Sequence, residues 1–179
     1  MLFQNYGLHW HIDRVKWGRP GKGHAGTLSG YRTETDGEVD FREQRGVYVL
    51  YDAGFNLLYA GQAGYGNQRL YQRLHQHRFD ALGERWSRFS WFGIDPVAGR
   101  AGRRRLLETE PSVNDVGVIL NHLEAILIAS VEPSLNRQGG KFGDALQYHQ
   151  WYEEAEDAVL GKLAEIENKI NALERFAKQ

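Results

Sequence analysis

Residues 46–61, GVYVLYDAGFNLLYAG, are the stretch that decides the fold. Two runs rich in aromatic and β-branched residues flank the letters AGFN, and this pattern predicts a β-hairpin. With a four-residue loop, Leu50 pairs with Tyr59 and Tyr48 pairs with Gly61. Because side chains alternate between faces along a strand, Tyr48 and Tyr59 then lie on one face as diagonal neighbours about 7–8 Å apart.

The register of this hairpin determines whether the two tyrosines can serve one site. A loop of three or five residues would put them on opposite faces. The face opposite the tyrosines is the one that we expect to pack on the core, and it carries Val47, Val49, Tyr51, Leu58 and Ala60. The plain alternative is that both tyrosines are present only because tyrosine is a good strand former.

Composition indicates one globular domain with appended segments. The chain has 179 residues, of which 41% are hydrophobic and 25% charged. It has no cysteine, which excludes a disulfide framework and a cysteine-ligated metal site. The net charge is −1, but 17 basic and 15 acidic residues precede Lys141, and 5 basic and 8 acidic residues follow from it onward. The mildly basic body is compatible with a nucleic-acid partner.

Neither a membrane span nor a leader is indicated. No apolar run approaches the roughly 20 residues of a membrane-spanning helix. The first residues, MLFQNYGLHWHID, lack the basic and then apolar order of a signal peptide. We therefore expect a cytoplasmic protein without a membrane partner.

The pattern of turns and apolar runs divides the chain into three parts. Residues 1–45 include the glycine-rich stretch GRPGKGHAGTLSG and are expected to form an N-terminal arm. Residues 46–141 are expected to form the core. Residues 142–179 are expected to form a C-terminal helix, and the predicted fold class is α+β.

Within the core, the hairpin is followed by a helix predicted over 68–82 and by a strand predicted over 86–94. A basic, flexible connection comes next. An apolar helix is predicted over 113–131 and ends before Pro133, since proline disfavours helical geometry in the preceding residue.

The C-terminal helix carries apolar residues at alternating spacings of four and three, as in the seam of a short coiled coil. They are Val159, Leu163, Ile166, Ile170, Leu173 and Ala177. This seam either packs on its own domain or pairs two chains into a homodimer.

Basic side chains form a row on the first predicted helix. Arg69, Arg73 and His77 are spaced at four residues and therefore lie on one face, with Leu70 and Leu74 beside them to anchor the helix. Guanidinium groups offer planar forks of donors that match phosphate oxygens. The alternative is a solvated basic face.

A carboxylate interrupts the apolar surface of the second predicted helix. Glu124 lies among Leu120, Leu123, Leu127, Ile128 and Val131. Burying an unpaired carboxylate costs several kcal/mol, so we expect Glu124 to reach solvent, pair with an arginine or bind a metal ion. A hard ion such as Mg²⁺ keeps several waters, and one glutamate can hold it.

Together these segments resemble the GIY-YIG nuclease superfamily from about Arg45 to about Lys141. GVY at 46–48 and YAG at 59–61 are similar to the two signatures, QRLHQH at 72–77 to the arginine-bearing helix, and WSRFSWFGI at 86–94 to the third strand. EAILIASVEPSLN at 124–136 resembles the glutamate helix and the P-x-x-N that follows it. The resemblance implies a small core with a three-stranded antiparallel sheet flanked by helices.

The resemblance also implies roles for individual residues. Tyr48 and Tyr59 match the signature tyrosines, Glu124 the ligand of a Mg²⁺ or Mn²⁺ ion, and Asn136 the supporting asparagine. Both Arg69 and Arg73 are candidates for the catalytic arginine. We choose Arg73 with His77 one turn later, and keep Arg69 as a second phosphate contact.

The activity that the resemblance implies is metal-dependent endonuclease cleavage of nucleic acid, with DNA the favoured substrate. In this reaction a tyrosinate deprotonates the attacking water, and we favour Tyr48 as this base with Tyr59 as its partner. A tyrosine pKa near 10 must be lowered by positive charge, which Arg73 and the metal could supply. The alternative is a nucleic-acid-binding module on the same scaffold that has lost activity.

Further nucleic-acid contacts are expected outside the core signatures. Lys16 and Lys22 lie in the arm, among other basic residues that could wrap nucleic acid. The densest basic cluster consists of Arg100, Arg103, Arg104 and Arg105, in a predicted loop.

Overall fold

The computed structural model describes residues 2–18, 26–33, 35, 37–64, 68–100, 103–109, 116–131 and 140–151, with the backbone alone at 116–119. Lys22, Asn136 and the seam at 159–177 lie outside the described residues. In chain order the elements are β1 (Asn5–His11), β2 (Ser29–Tyr31), β3 (Val39–Asp40), β4 (Gly46–Tyr51), β5 (Leu57–Ala63), α1 (Leu70–Gln76), β6 (Arg88–Gly93), β7 (Val97–Ala98), β8 (Arg105–Leu106), α2 (Val116–Val131), β9 (Leu146–Gln147) and β10 (His149–Gln150).

The fold is α+β, and its main sheet has five strands in the order β5-β4-β6-β1-β9. β4 pairs antiparallel with β5 and β6, β6 pairs antiparallel with β1, and β9 runs parallel to β1. The prediction of a three-stranded sheet was therefore too small. The sheet contains β5, β4 and β6 in their predicted antiparallel arrangement, and β1 and β9 extend it to five strands.

The prediction that residues 1–45 form a peripheral arm was wrong for the described part of that segment. Trp10 on β1 is 2% exposed, and its indole Nε1 donates a hydrogen bond to the Tyr148 carbonyl at 3.1 Å. Gly7 lets two indoles approach the strand, since a Cβ there would lie 2.4 Å from Nε1 of Trp91. Burial of large aromatic rings in the core is what draws this segment into the sheet.

The prediction of a C-terminal helix from residue 142 was also wrong at its start. Residues 146–150 form β9 on the main sheet and β10 on a second sheet with the order β10-β2-β3. Tyr148, between the two strands, is 1% exposed and contacts the Phe41 ring at a centroid distance of 4.7 Å. The buried tyrosine therefore joins the end of the described chain to its N-terminal third.

Both faces of the main sheet are covered, so the prediction of a single core face was wrong. The face with Tyr48 and Leu50 belongs to the larger core, together with α1 and three tryptophans. The opposite face, with Val49 and Tyr51, packs against Phe3 and against α2. A strand that is buried on both sides tolerates few polar residues, which explains the continuous apolar run of β4.

The hairpin loop has three residues, 53–55, where four were predicted. The Asp52 amide donates to the Asn56 carbonyl at 3.1 Å, and Phe55 adopts a positive φ of 63°. A β-bulge between Leu50 and the end of the loop inserts one extra residue into β5, so that Leu50 still pairs with Tyr59. The bulge compensates for the shorter loop, and the predicted pairing of Tyr48 with Gly61 is confirmed.

The remaining elements differ from prediction mainly at their ends. α1 ends at Gln76, where a helix to residue 82 was predicted, and turns continue from there to residue 85. The predicted flexible basic connection contains the short antiparallel pair β7–β8. None of the described helices is long and apolar enough to cross a lipid bilayer.

Candidate active site

Tyr48 and Tyr59 lie side by side on the α1 face of the sheet. Their ring centroids are 6.1 Å apart, as the register of the hairpin requires. Tyr48 is fully buried, whereas Tyr59 on the edge strand β5 is partly exposed. The two tyrosines therefore form a pair in which one hydroxyl group is buried and the other ring meets solvent.

Gly61 makes room for this pair. It lies directly opposite Tyr48, and a Cβ at this position would come within 2.5 Å of the Tyr48 hydroxyl and 2.7 Å of Tyr59 Cε1. Any side chain here would displace one or both rings. The glycine after Tyr59, which the sequence analysis used only as part of the motif, is thus a steric requirement of the site.

Helix α1 supplies two basic side chains to the tyrosines. Leu70 and Leu74 are buried, as predicted, and they hold α1 against the sheet. His77 at the end of the helix is 5% exposed, and its Nε2 lies 2.8 Å from the Tyr48 hydroxyl. Its ring centroid is 4.7 Å from that of Tyr59, so the histidine contacts both tyrosines.

Asp80 completes a hydrogen-bonded chain that the sequence analysis missed. Its Oδ2 lies 2.7 Å from Nδ1 of His77, and its Oδ1 accepts the Leu82 amide at 2.8 Å. The Leu82 amide and, after it, His77 hold the pKa of Asp80 below its ordinary value. The spacing of three residues between His77 and Asp80 within the predicted helix was the signal that could have identified this pair.

This hydrogen-bonded chain of side chains determines which nitrogen of the His77 imidazole carries the proton. Because the Asp80 carboxylate can only accept a hydrogen bond, we assign the proton to Nδ1 of His77. Nε2 is then an acceptor for the Tyr48 hydroxyl, which donates to it. The order Tyr48–His77–Asp80 is an arrangement in which an acid, a base and an orienting carboxylate are aligned.

Arg73 lies one turn before His77 and also contacts the tyrosines. Its Nη1 donates to Gln68 Oε1 at 3.0 Å and to Gln76 Oε1 at 2.9 Å, so two glutamines orient the guanidinium. Burial raises the pKa of Tyr48 to about 12, although the hydrogen bond and charge of Arg73 lower it. Arg73 therefore acts on the pKa of Tyr48 in the expected direction, but desolvation is the larger effect.

A groove of about 660 Å³ passes these side chains at the edge of the sheet. Arg73 and the two tyrosines line it, together with β4 and β5 residues and apolar residues from the N-terminus and α2: Phe3, Val47, Val49, Ala60, Gly61, Gln62, Leu123 and Ile126. The only charged side chain among these lining residues is Arg73. The groove is therefore apolar with one fixed positive charge, which suits an anionic group on a larger ligand.

No family model, curated protein or solved structure matches the chain. The interpretation of this groove therefore depends on its own chemistry and on the sequence resemblance.

Glu124 reaches solvent, which is the first of the three alternatives expected for it. It is exposed on α2, as are Leu120, Leu123 and Leu127, while His122 and Ala125 face the sheet. The helix packs through its smaller residues, so the leucine-rich side that surrounds Glu124 meets solvent. Glu124 also does not line the groove, although its neighbour Leu123 does.

The described residues do not build a metal centre around the tyrosines. Within the described ranges, no three His, Asp or Glu side chains cluster closely enough to hold a metal ion. A site with one carboxylate completed by water needs no such cluster, and the exposed Glu124 is accessible to a hydrated ion. However, Glu124 lies outside the groove that Arg73 and the tyrosines line, so the fit of these residues to one metal centre is incomplete.

Arg69 points to a different place from Arg73. Its Nη2 lies 3.1 Å from Oε1 of Glu108, and the groove is lined without it. The predicted row of Arg69, Arg73 and His77 is thus divided, because Arg69 is the cap residue of α1 and has an extended backbone.

The other predicted nucleic-acid contacts among the described residues do not line the groove. Arg100 and Arg103 are exposed at the β7–β8 turn, and Arg105 is exposed on β8. Arg104 is partly buried, and Lys16 is exposed beside its bridge partner Thr27.

Proposed function

We propose that this chain is a phosphodiester hydrolase that acts on nucleic acid, with DNA the favoured substrate and a GIY-YIG-like core. The observation that carries the proposal is the hydrogen-bonded chain Tyr48–His77–Asp80 next to Arg73 at an apolar groove. Tyr48 and His77 bury their polar groups against each other, and a purely structural sheet would have no need for this costly arrangement.

The proposed reaction moves one proton inward from the attacking water. Tyr59 is the tyrosine that meets solvent, and its ring lies beside that of Tyr48 at a centroid distance of 6.1 Å. As water attacks phosphorus, its proton passes to Tyr59, Tyr59 passes a proton to Tyr48, and Tyr48 passes its own to Nε2 of His77. Asp80 then stabilises the imidazolium that forms. This assignment replaces the earlier preference for Tyr48 as the group that contacts water, since Tyr48 is fully buried.

Arg73 binds the phosphate in this proposal. It is the charged group of the groove, and Gln68 and Gln76 hold its guanidinium in place before the substrate arrives. A preoriented donor stabilises the negative charge that builds up on the phosphate oxygens as the new P–O bond forms. The ester P–O bond breaks, and the leaving oxygen takes a proton from solvent.

The proposal includes a Mg²⁺ or Mn²⁺ ion on Glu124, which the sequence resemblance supports. A bound ion would neutralise charge on the phosphate and the leaving oxygen. The proton transfers use Tyr59, Tyr48, His77 and Asp80 and not this ion, because Glu124 is exposed outside the groove.

Cleavage of labelled substrates tests the proposal. Purified protein is incubated with double-stranded DNA, single-stranded DNA and RNA, each with Mg²⁺, Mn²⁺ or EDTA, beside the variants Arg73→Ala, Glu124→Ala and Glu84→Gln. We expect cleavage of DNA that Arg73→Ala and EDTA abolish and that Glu84→Gln, an exposed carboxylate after α1, leaves intact. Loss of cleavage in Glu124→Ala supports the metal site. Cleavage that persists in EDTA excludes it.

A catalytically silent nucleic-acid-binding module is the second candidate. Two observations favour it: the pKa of Tyr48 is raised to about 12, and Glu124 lies apart from the tyrosines. Binding of any of the three nucleic acids without cleavage in Mg²⁺ or Mn²⁺ would establish this alternative.

A homodimer formed through the seam at 159–177 remains part of the proposal. The described part of the chain adds an exposed apolar side on α2, where Leu120, Leu127 and Val131 are 59%, 63% and 56% exposed. Sedimentation at several protein concentrations tests dimerisation. A mass of one chain at every concentration excludes it.

A further inference from the structure

A cluster of aromatic rings lies on the surface beside the end of α1. The rings of Tyr71 and His75 stack at a centroid distance of 5.8 Å, and those of His75 and Phe79 lie 5.1 Å apart. Trp17, from the segment after β1, contacts Tyr71 at 5.6 Å and His75 at 6.0 Å. Phe79 is 74% exposed, so this aromatic platform ends in a ring that is open to solvent.

The platform holds a guanidinium group that no carboxylate balances. Arg78 lies over the Trp17 ring, 4.5 Å from its centroid, and 5.4 Å from the centroid of Phe79. No carboxylate among the described residues pairs with Arg78, and the neighbouring Asp80 is bound instead to Nδ1 of His77. A guanidinium stacked on a ring keeps its N–H donors in its own plane, where phosphate oxygens can accept from them.

Hydrogen bonds fix the platform in place before any ligand arrives. Nε1 of Trp17 donates to the Ile12 carbonyl at 3.1 Å, and the Trp17 carbonyl accepts the Tyr71 hydroxyl. The edge of Trp17 meets Trp86, whose Nε1 donates to the His77 carbonyl at 3.1 Å. The platform is therefore anchored to the same helix end that carries His77.

The exposed ring is close to the proposed site along the chain. Phe79 follows His77 by two residues and directly precedes Asp80. Two peptide units separate Cα atoms by at most about 7.6 Å. A nucleic-acid strand advances about 3.4 Å per nucleotide, so this separation corresponds to roughly two nucleotides.

We propose that Phe79 and Arg78 bind one unpaired nucleotide, its base stacked on the Phe79 ring and its phosphate on the Arg78 guanidinium. The inference rests on the proposed nucleic-acid substrate. A base inside a duplex has both faces covered by its neighbours, so only an unpaired base can stack on a side chain. The substrate class that follows is a single strand, or a duplex with an unpaired segment next to the scissile bond.

Binding measured without turnover tests this proposal. Fluorescence anisotropy in EDTA gives Kd for a labelled single-stranded DNA and for the same DNA as a blunt duplex. We expect Phe79→Ala to raise Kd for the single strand roughly five- to fiftyfold, which corresponds to the loss of one stacked base, and to leave Kd for the duplex within about twofold. Phe79→Trp should restore the affinity. Arg78→Gln should weaken single-strand binding and reduce its salt dependence.

The chain offers a matched pair of control variants, Phe55→Ala and Arg88→Gln. Phe55 is 52% exposed, and the Arg88 guanidinium lies 4.4 Å from the centroid of its ring. Phe55 contacts His9, which contacts Tyr51 on the face of the sheet opposite Tyr48. We therefore expect neither control variant to change the Kd of the single strand.

A 2-aminopurine base placed in the single strand reports on the stack itself. Its fluorescence falls when it stacks on an aromatic ring, so binding to the wild type and to Phe79→Trp should quench it. Binding to Phe79→Ala at saturating protein should leave it bright. Equal quenching by Phe79→Ala and the wild type would show that no base stacks on Phe79.

The outcomes separate this inference from the function on which it rests. Loss of single-strand affinity confined to Phe79→Ala and Arg78→Gln supports the platform, and it does so even if the wild type cleaves no nucleic acid, a result that would overturn the proposed hydrolysis alone. Single-strand affinity that Phe79→Ala leaves unchanged, or that the control variants lower equally, overturns the platform, and cleavage retained by these variants leaves the proposed function intact. Failure of the wild type to bind DNA or RNA overturns both.

Discussion

The Tyr48 hydroxyl and Nε2 of His77 lie 2.8 Å apart in a buried position, and Asp80 closes the chain from the opposite side of the ring. This relationship joins the central strand β4 to the end of α1. It gives the molecule a base that is oriented before any ligand arrives.

His77→Ala should lower kcat of nucleic-acid cleavage by roughly 10²–10⁴-fold, because it removes the group that accepts the proton. Asp80→Asn should have a smaller effect of the same kind, since an amide can orient the imidazole but stabilises the imidazolium poorly. Single-turnover rates measure both. Equal kcat in Asp80→Asn and the wild type across the pH range would remove Asp80 from the reaction.

The lowered pKa of Asp80 predicts a second effect at acid pH. The folded protein binds this proton less tightly than the unfolded chain does. The contribution of Asp80 to stability is therefore present above pH 3.8, its ordinary value, and is lost as the pH falls through the lower folded value. Acid unfolding followed by circular dichroism should show a smaller loss of stability below pH 4 in Asp80→Asn than in the wild type.

The raised pKa of Tyr48 predicts that the protein loses stability at alkaline pH. Its pKa is about 12 in the folded protein against an ordinary 10.0, so the folded state holds the phenol proton more tightly. Its contribution is fully present below pH 10 and is lost as the pH rises through 12. Denaturant unfolding measured between pH 10 and pH 12 should show a larger decrease in the free energy of unfolding for the wild type than for Tyr48→Phe. An identical pH dependence in the two proteins would contradict the burial of the hydroxyl.

Gly61→Ala should damage the site through packing alone. The new methyl group would lie 2.5 Å from the Tyr48 hydroxyl, so a ring or strand β5 must shift. Overpacking of this kind costs about 1–3 kcal/mol in the free energy of unfolding, and cleavage should fall with it. Thermal unfolding and activity are measured beside Ala60→Ser, a change at the exposed neighbouring position. Wild-type values for both quantities in Gly61→Ala would show that the strand has room to spare.

Asp95→Asn should destabilise the fold more strongly than a surface change does. Its carboxylate is 3% exposed and makes a two-point contact with Arg45, so the substitution removes the buried charge partner of a largely buried guanidinium. We expect a loss of about 3–5 kcal/mol. The control is Glu43→Gln, whose exposed pair with Arg42 at 3.7 Å should contribute less than about 1 kcal/mol. Similar unfolding midpoints for the two variants would show that Asp95 is not a structural anchor.

Features of the fold that depend on residues close together in the sequence could be predicted, and features that depend on distant residues could not. The pairing of Tyr48 with Gly61 was predictable from alternation and turn residues. The three-residue loop and the bulge that produce this pairing were not predictable. The ring of Phe55 in the loop packs against the guanidinium of Arg88 on β6, 4.4 Å from the ring centroid, and this contact comes from a different strand. The place of strand β1 in the main sheet could not be predicted for the same reason, because Trp10 is fixed by a carbonyl 138 residues away in the sequence.

In the candidate site, too, contacts between residues close in the sequence were predictable and contacts between distant residues were not. The order and spacing of Tyr48, Tyr59, Arg73 and His77 predicted that they could meet, since each pair is joined by a hairpin or a short helix. Asp80 was within reach of the same reasoning. The positions of Arg69 and Glu124 could not be predicted from the sequence. That of Arg69 depends on its contact with Glu108, and that of Glu124 depends on which side of α2 packs against the sheet.

The sequence by itself determined the hairpin, the pair of tyrosines and the basic helix that follows them, because alternation, turns and helical spacing act between neighbours. Only the tertiary structure decided that both ends of the described chain join the sheet, that Tyr48 is buried and protonated, and that Glu124 faces solvent. Burial depends on which distant surfaces come together, and desolvation, which raises the pKa of Tyr48, exists only once they have done so.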